Sequence, residues 1–238
     1  MNPSDQPFLT VLIPCYNEES TIARVIRAVR DSGLEQSIEV IVIDDASRDN
    51  TIAVIEAEVK DQIDRLIRLD NNRGKGYAIR QGIRAASGQY IVIQDADLEY
   101  DPKDFAKLCR PVIDGYADVV YGSRFAGGET HRVLYFWHSM GNKMLTLLSN
   151  IFTNLNLTDM ETGYKLFRAD LLKSLPLDED RFGIEPELTA KIARVEDIRI
   201  YETGISYFGR TYAQGKKIGW KDGLRAVWVI LKYGIFRR

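Results

Sequence analysis

What limits the fold of this chain most is a rhythm. Over residues 9–123 short apolar runs alternate with amphipathic stretches. LTVLIP (9–14), IEVIVID (38–44), DRLIRLD (64–70), YIVIQD (90–95) and DVVYGS (118–123) read as strands. Most are apolar almost without a break, the pattern of strands covered on both faces. Between them, STIARVIRAVRDSG puts Ile22, Val25, Ile26 and Val29 at helical spacing and stops at Gly33. DNTIAVIEAEV opens on Asp49 or Asn50 as a cap, and GKGYAIRQGIRAASG runs to Gly88. DPKDFAKLCRPVIDG reads as a fourth helix, with a kink expected at Pro111. Strands and helices in this order predict an α/β fold, a mostly parallel sheet with helices on both faces.

The second half is less regular. HRVLYFWHSMGNKMLTLLSNIF (131–152) and EPELTAKIARVE (185–196) read as helices, and IRIYETGIS (198–206) as a strand. A last helix, about 218–236, sets Trp220, Leu224, Val227, Trp228, Leu231 and Ile235 on one face, with lysine and arginine on the other. Residues 1–215 are expected to form one domain, and 216–238 a basic amphipathic helix. That helix suits an anionic bilayer surface; packing against the core through its apolar face is the alternative.

On a parallel sheet the loops after the strands gather at one edge, where ligands bind. Those loops are IPCYNEE, DDASRD, NNRGKG, QDADLE and GSRF. In QDADLEYDP the acids Asp95, Asp97, Glu99 and Asp101 alternate directly beyond a strand. Crowded carboxylates repel one another, and a hard divalent cation, Mg²⁺ or Mn²⁺, relieves that repulsion through oxygen ligands.

Composition narrows the function. Lys and Arg total 32 against 34 Asp and Glu, a net charge of -2, which argues against a nucleic-acid partner. Cys15 and Cys109 lie far apart and outside any metal spacing, which suggests a reduced, cytosolic setting. His131 and His138 lack a third ligand for zinc. The N-terminus has no secretory pattern, no apolar run is long enough to span a bilayer, and no G-x-G-x-x-G follows Pro14 to suggest a dehydrogenase.

Taken in order, LIPCYNEE, VIDDASRDNT, NNRGKGYAIRQG, IVIQDADLEYDP and YGSRF resemble the signature of family 2 glycosyltransferases with the GT-A fold, Rossmann-like and α/β. The likeness runs through about residues 8–215 and is greatest to the dolichyl-phosphate mannose synthase-like group, with its bacterial polyprenyl-phosphate sugar transferases. It implies that Pro14, Tyr16 and Glu18 hold the base and ribose of a nucleotide sugar. Asp45 lies near them, and Lys75 near the nucleotide, with Arg73 assisting. Asp95 belongs nearer the sugar. Asp97 is a metal ligand, with Glu99 where relatives often carry Gln. Arg124 contacts an acceptor phosphate, joined by Arg132 and Ser139. LTDMETGYKLFR resembles the D-x-x-T/S-G segment and puts Asp159 under the sugar site. Glu185 and Glu187 open a helix and are further catalytic candidates. FGRTYAQGKKIGW matches a late loop that closes over the diphosphate, with Arg210 and Lys216 as its cations.

The implied reaction is inverting transfer of a sugar from a UDP- or GDP-linked donor to a polyprenyl phosphate, dolichyl or undecaprenyl. The expected enzyme is peripheral at the cytoplasmic face of a membrane, alone or with a membrane-protein partner. A soluble or polysaccharide hydroxyl acceptor is the alternative, and Asp159 would then be the base. A sugar-phosphate nucleotidyltransferase is disfavoured because CYNEES, not a glycine-rich loop, follows the first strand. A non-catalytic nucleotide-sugar-binding subunit is the remaining reading.

Overall fold

β1 (Leu9–Cys15), β2 (Ile38–Asp44) and β4 (Tyr90–Ile93) are buried along most of their length, as unbroken apolar runs require. A computed structural model describes residues 6–127, 132, 133, 135–209 and 220–235. With β3 (Arg65–Arg68), β5 (Val119–Ser123), β6 (Lys165–Arg168) and β7 (Ile200–Gly204), these strands form one sheet of order β3-β2-β1-β4-β6-β5-β7. β1 pairs parallel with β2 and β4, β2 with β3, and β5 with β7. β6 runs antiparallel between β4 and β5, so the other strands share one direction. The chain steps outward from β1 to β3, then returns to place β4 on the other side of β1. That reversal opens a crevice at the carboxyl ends of β1 and β4.

Helices cover both faces. α1 (Ile22–Arg30), α2 (Thr51–Glu58) and α4 (Phe105–Ile113) pack one face through Val25, Ile26, Ile55, Phe105 and Leu108. α3 (Lys75–Ala85), α6 (Ala169–Ser174) and α7 (Ile184–Ile192) cover the other through Ile79, Leu172 and Leu188. α5 (Phe136–Thr153) and α8 (Trp220–Ile235) lie over that second layer. Pro111 sits in the last turn of α4.

KLFR, the end of the D-x-x-T/S-G segment, is strand β6. The face of α8 expected to pack needs correction. The packed face of α8 consists of Ala226, Val229, Ile230 and Tyr233, while Leu224, Trp228 and Ile235 are exposed. On its basic side, Arg225 and Lys232 donate to the buried Glu179 at 2.7 and 3.1 Å. α8 therefore has two apolar faces, one in the protein and one in solvent. Arg210 and Lys216, and the boundary placed between 215 and 216, lie outside the described residues. Among the described residues, no helix is long and apolar enough to cross a membrane.

Candidate active site

A cleft of about 850 Å³ opens at the carboxyl edge, within the usual range for small-molecule sites of roughly 300–1,000 Å³. Pro14, Tyr16, Glu18, Asp45, Lys75, Asp95, Asp97, Glu99 and Arg124 all line it, as their place beyond parallel strands requires. Three non-glycine residues in its loops, Asn17, Ala46 and Leu98, adopt positive φ of 54, 60 and 62°. L-residues hold that conformation only where their surroundings enforce it.

Asp45 ties two of these loops together. Its oxygens accept from the backbone N–H of Arg73 (2.9 Å) and Gly74 (2.7 Å). Burial raises its pKa, and the two backbone donors lower it without cancelling the rise. Gly74 has φ +102°, and a Cβ there would lie 2.7 Å from the Asp180 carbonyl; at Gly76 it would lie 2.2 Å from the Glu179 carbonyl. The glycines flanking Lys75 thus let α3 start hard against residues 179–181.

Lys75 heads a chain of buried charges. Its Nζ lies 2.7 Å from Asp95 Oδ1 and 3.2 Å from Glu185 Oε1. Glu185 in turn pairs with Lys165, which is fully buried and also donates to the Thr162 carbonyl. Burial alone would lower the Lys75 pKa; Asp95 and Glu185 outweigh it and hold the amine charged. A Cβ at Gly163 would lie 2.6 Å from Asp95 Oδ2, so glycine there lets the Asp95 carboxylate approach.

Asp97 and Glu99 form the rest of the acidic wall. Asp97 Oδ1 accepts from the Glu99 N–H at 3.1 Å, and Glu99 Oε2 accepts from the Tyr207 hydroxyl at 2.7 Å. Among the described residues no three acidic, histidine or cysteine side chains converge as a complete metal cage. Oxygen donors from one or two carboxylates, completed by substrate phosphates, are how Mg²⁺ is usually held, so the donor set fits.

Beside this wall, across Tyr207, Arg124 is clamped. Nε and Nη2 donate to Asp159 at 2.6 and 2.7 Å, and Asn142 Nδ2 donates to the same carboxylate at 3.0 Å. Asp159 is wholly buried. Burial alone would raise its pKa, but the Arg124 charge and these hydrogen bonds bring it below the ordinary value. An ionised, fully engaged carboxylate is placed to position Arg124, not to take a proton. Ser139 and Arg132 lie outside the cleft wall; Arg132 Nη1 donates to the Gly209 carbonyl at 2.8 Å. Glu187 is fully buried, bonded to Lys191 and to the backbone of Asp178 and Glu179, also away from the cleft.

Some lining residues carry no sequence motif. Trp137, Gly141, Asn142 and Leu145 of α5 reach the cleft, as does Ala226 of α8. Helical spacing over 137–145 would have put these α5 residues on one face; the long apolar pattern hid which face it was. The outward side of α5 is apolar too. Phe136, Met140, Met144, Leu147 and Ile151 are exposed, and Lys143 is the helix's one lysine, with no acid.

Residues 10–175 match the profile of Glycosyl transferase family 2. The chain is 30% identical over 185 residues to Glycosyltransferase AglJ of Haloferax volcanii, covering 77% of this chain and 58% of that one. It is 28% identical over 239 residues to a dolichyl-phosphate beta-glucosyltransferase of Dictyostelium discoideum, covering 91% and 70%. The chain thus spans little more than half the length of the Haloferax relative. Its fold is similar to that of glucosyl-3-phosphoglycerate synthase from Mycobacterium tuberculosis, crystallised with Mn²⁺, uridine diphosphate and phosphoglyceric acid. The TM-score is 0.75 at 20% identity, over 98% of this chain and 80% of that one. Motif order, sheet, cleft and profile agree, and the chain belongs to glycosyl transferase family 2.

Proposed function

We propose that this chain transfers a sugar, with inversion, from a nucleoside diphosphate to a polyprenyl phosphate at a membrane surface. One observation carries the reading. A single cleft joins the acidic wall of Asp95, Asp97 and Glu99 to Arg124, and continues past Trp137 and Leu145 beside the exposed apolar side of α5. Pro14, Tyr16, Glu18 and Asp45 line the nucleotide end. A divalent cation on Asp97 and Glu99 would offset negative charge on the departing diphosphate. Lys75 holds Asp95 in place and lends positive charge to the same end. Arg124, fixed by Asp159, would orient the acceptor phosphate. That phosphate oxygen is already anionic near neutral pH, so the attack needs no general base; the engaged state of Asp159 accords with this. Phe136, Met140, Met144, Leu147 and Ile151, with Leu224, Trp228 and Ile235 of α8, would rest on an anionic bilayer, since α5 carries no acid to repel it. The dolichyl-phosphate relative supports this acceptor class.

A second reading is a soluble phosphorylated acceptor at Arg124, favoured by the phosphoglyceric acid named with the structural neighbour. Labelled UDP-glucose, UDP-N-acetylglucosamine and GDP-mannose, each with Mg²⁺ or Mn²⁺, would be offered with undecaprenyl or dolichyl phosphate and, separately, with 3-phosphoglycerate. Metal-dependent label in the organic phase is the expected result. Label only in an aqueous phosphoglycerate product would overturn the lipid reading.

A further inference from the structure

The cleft wall holds a carboxyl with an orphaned buried oxygen that no role above uses. Glu161 lies in the loop before β6, two residues after Asp159, and lines the cleft. Its Oε1 is shut off from solvent and has no hydrogen-bond partner. Such an atom is costly, because a buried acceptor without a donor loses its hydration and gains nothing in return.

The nearby cations are already engaged. Lys165 pairs with Glu185 and the Thr162 carbonyl, and Arg124 is held in both directions by Asp159. Glu161 feels both charges without a hydrogen bond from either. Its place in the site is also distinctive. It lies within electrostatic reach of both the donor-side cluster, through Lys165 and Glu185, and the acceptor-side pair of Arg124 and Asp159. In transfer from a nucleoside diphosphate to a phosphate, the part of the substrates between those ends is the sugar in transit. A sugar meets a wall with hydroxyls, and a hydroxyl is the donor that Oε1 lacks, reached by a turn of the carboxyl toward the cleft that Glu161 lines.

We infer that Glu161 is a specificity-determining residue that accepts a hydrogen bond from a hydroxyl of the transferred sugar. The inference rests on the nucleotide-sugar reading. Burial pushes the Glu161 carboxyl up to about 7, with Lys165 opposing the rise and Glu185 adding to it. Near neutrality the group can therefore accept as a carboxylate, or both accept and donate as an acid. A site built around a polar partner rejects the analogue that lacks the matching hydroxyl more strongly than an apolar pocket could.

Calorimetric titration of the full chain with Mn²⁺ tests this. UDP and UDP-glucose, and GDP and GDP-mannose, would be titrated into wild type, Glu161→Ala and Glu161→Gln. The expected wild type binds one sugar nucleotide more tightly than its bare nucleotide. Glu161→Ala should erase about tenfold of that preference, a loss equivalent to about 1.4 kcal/mol, and leave bare-nucleotide affinity unchanged. Glu161→Gln, which keeps an acceptor oxygen, should retain part of it. With singly deoxygenated donor sugars, the alanine penalty should vanish for one position of the ring and persist at the others. An equal loss for nucleotide and sugar nucleotide, or a penalty indifferent to every hydroxyl, would mean a merely structural Glu161 and overturn the inference. A wild type that prefers the sugar, with Glu161→Ala unaltered, overturns the inference alone. A wild type that binds nucleotide and sugar nucleotide equally overturns the donor reading along with it.

Discussion

Two clusters of buried charge border the cleft, one on the proposed donor end and one on the proposed acceptor end, and they are built on different plans. At one end Asp95, Lys75, Glu185 and Lys165 form an open chain of alternating sign. Its cleft-side members remain accessible, with side chains 16% exposed at Lys75 and 22% at Asp95. At the other end Arg124 and Asp159 form a closed bidentate pair, 8% and 0% exposed, with Asn142 on the same carboxylate. An open chain can exchange partners when a phosphate or cation arrives. A closed pair can only hold a shape. The difference assigns charge adjustment to the donor end and positioning to the acceptor end.

The sharpest way to break that distinction is to remove one partner from each cluster. Asp159→Ala leaves a guanidinium buried without its counter-charge and should cost about 3–5 kcal/mol in chemical denaturation. Lys75→Met strands Asp95 where water can reach it, so its cost should be less than half as large. Equal costs would mean that both clusters serve only stability. Next in size is Asp97→Ala, which should lower metal-dependent turnover by about 10²–10³ with the thermal midpoint unchanged; full activity would remove Asp97 from the metal. Arg124→Lys keeps the charge and loses the planar fork. It should raise KM for the acceptor and leave donor affinity alone, and the opposite pattern would reverse the two ends. Gly76→Ala probes the frame under the donor end. Its Cβ would meet the Glu179 carbonyl at 2.2 Å, and overpacking of this kind costs about 1–3 kcal/mol. An unchanged midpoint would show that residues 179–181 give way.

Asp45, Lys75 and Asp95 were legible in the sequence because each follows a strand. Once IEVIVID and YIVIQD are strands of one parallel sheet, Asp45 and Asp95 have to meet at its edge. Arg124, just beyond β5, was legible for the same reason, but the strand that carries Lys165 was not. β6 is four residues long and antiparallel, and its first residue, Lys165, is buried against Glu185 and carries no apolar signal. Hydrophobicity also misled at α8. Trp228 and Leu224 are more apolar than Ala226 and Tyr233, yet they face solvent while Ala226 and Tyr233 pack inside beside Val229 and Ile230. A helix with two apolar faces does not reveal by periodicity which of them is inside. Asp159 illustrates a third limit. A motif can place a carboxylate near a substrate, but only coordinates show that Arg124 and Asn142 already occupy its oxygens.

The smallest expected effect is also the finest test, because Asp159 of the closed pair and Glu161, which neither cluster binds, are neighbouring carboxyls shifted in opposite directions. The folded-state pKa of Asp159 is lowered, so its contribution to stability is present above the ordinary aspartate value of 3.8 and fades as pH falls through the lowered one. That of Glu161 is raised from 4.5 to about 7 by burial, with Lys165 of β6 and Arg124 beyond β5 opposing, and Glu185 of α7 and Asp159 of its own loop adding. Its contribution is therefore present below 4.5 and is lost as pH rises through about 7. In urea melts from pH 4.5 to 7, Glu161→Gln should gain on wild type as pH increases. Over the same window the difference between Asp159→Asn and wild type should stay level, and it should narrow only at lower pH. Parallel slopes for the two variants would mean that Glu161 is solvated in the folded protein, and that the orphan oxygen on which its sugar-binding role depends is already satisfied.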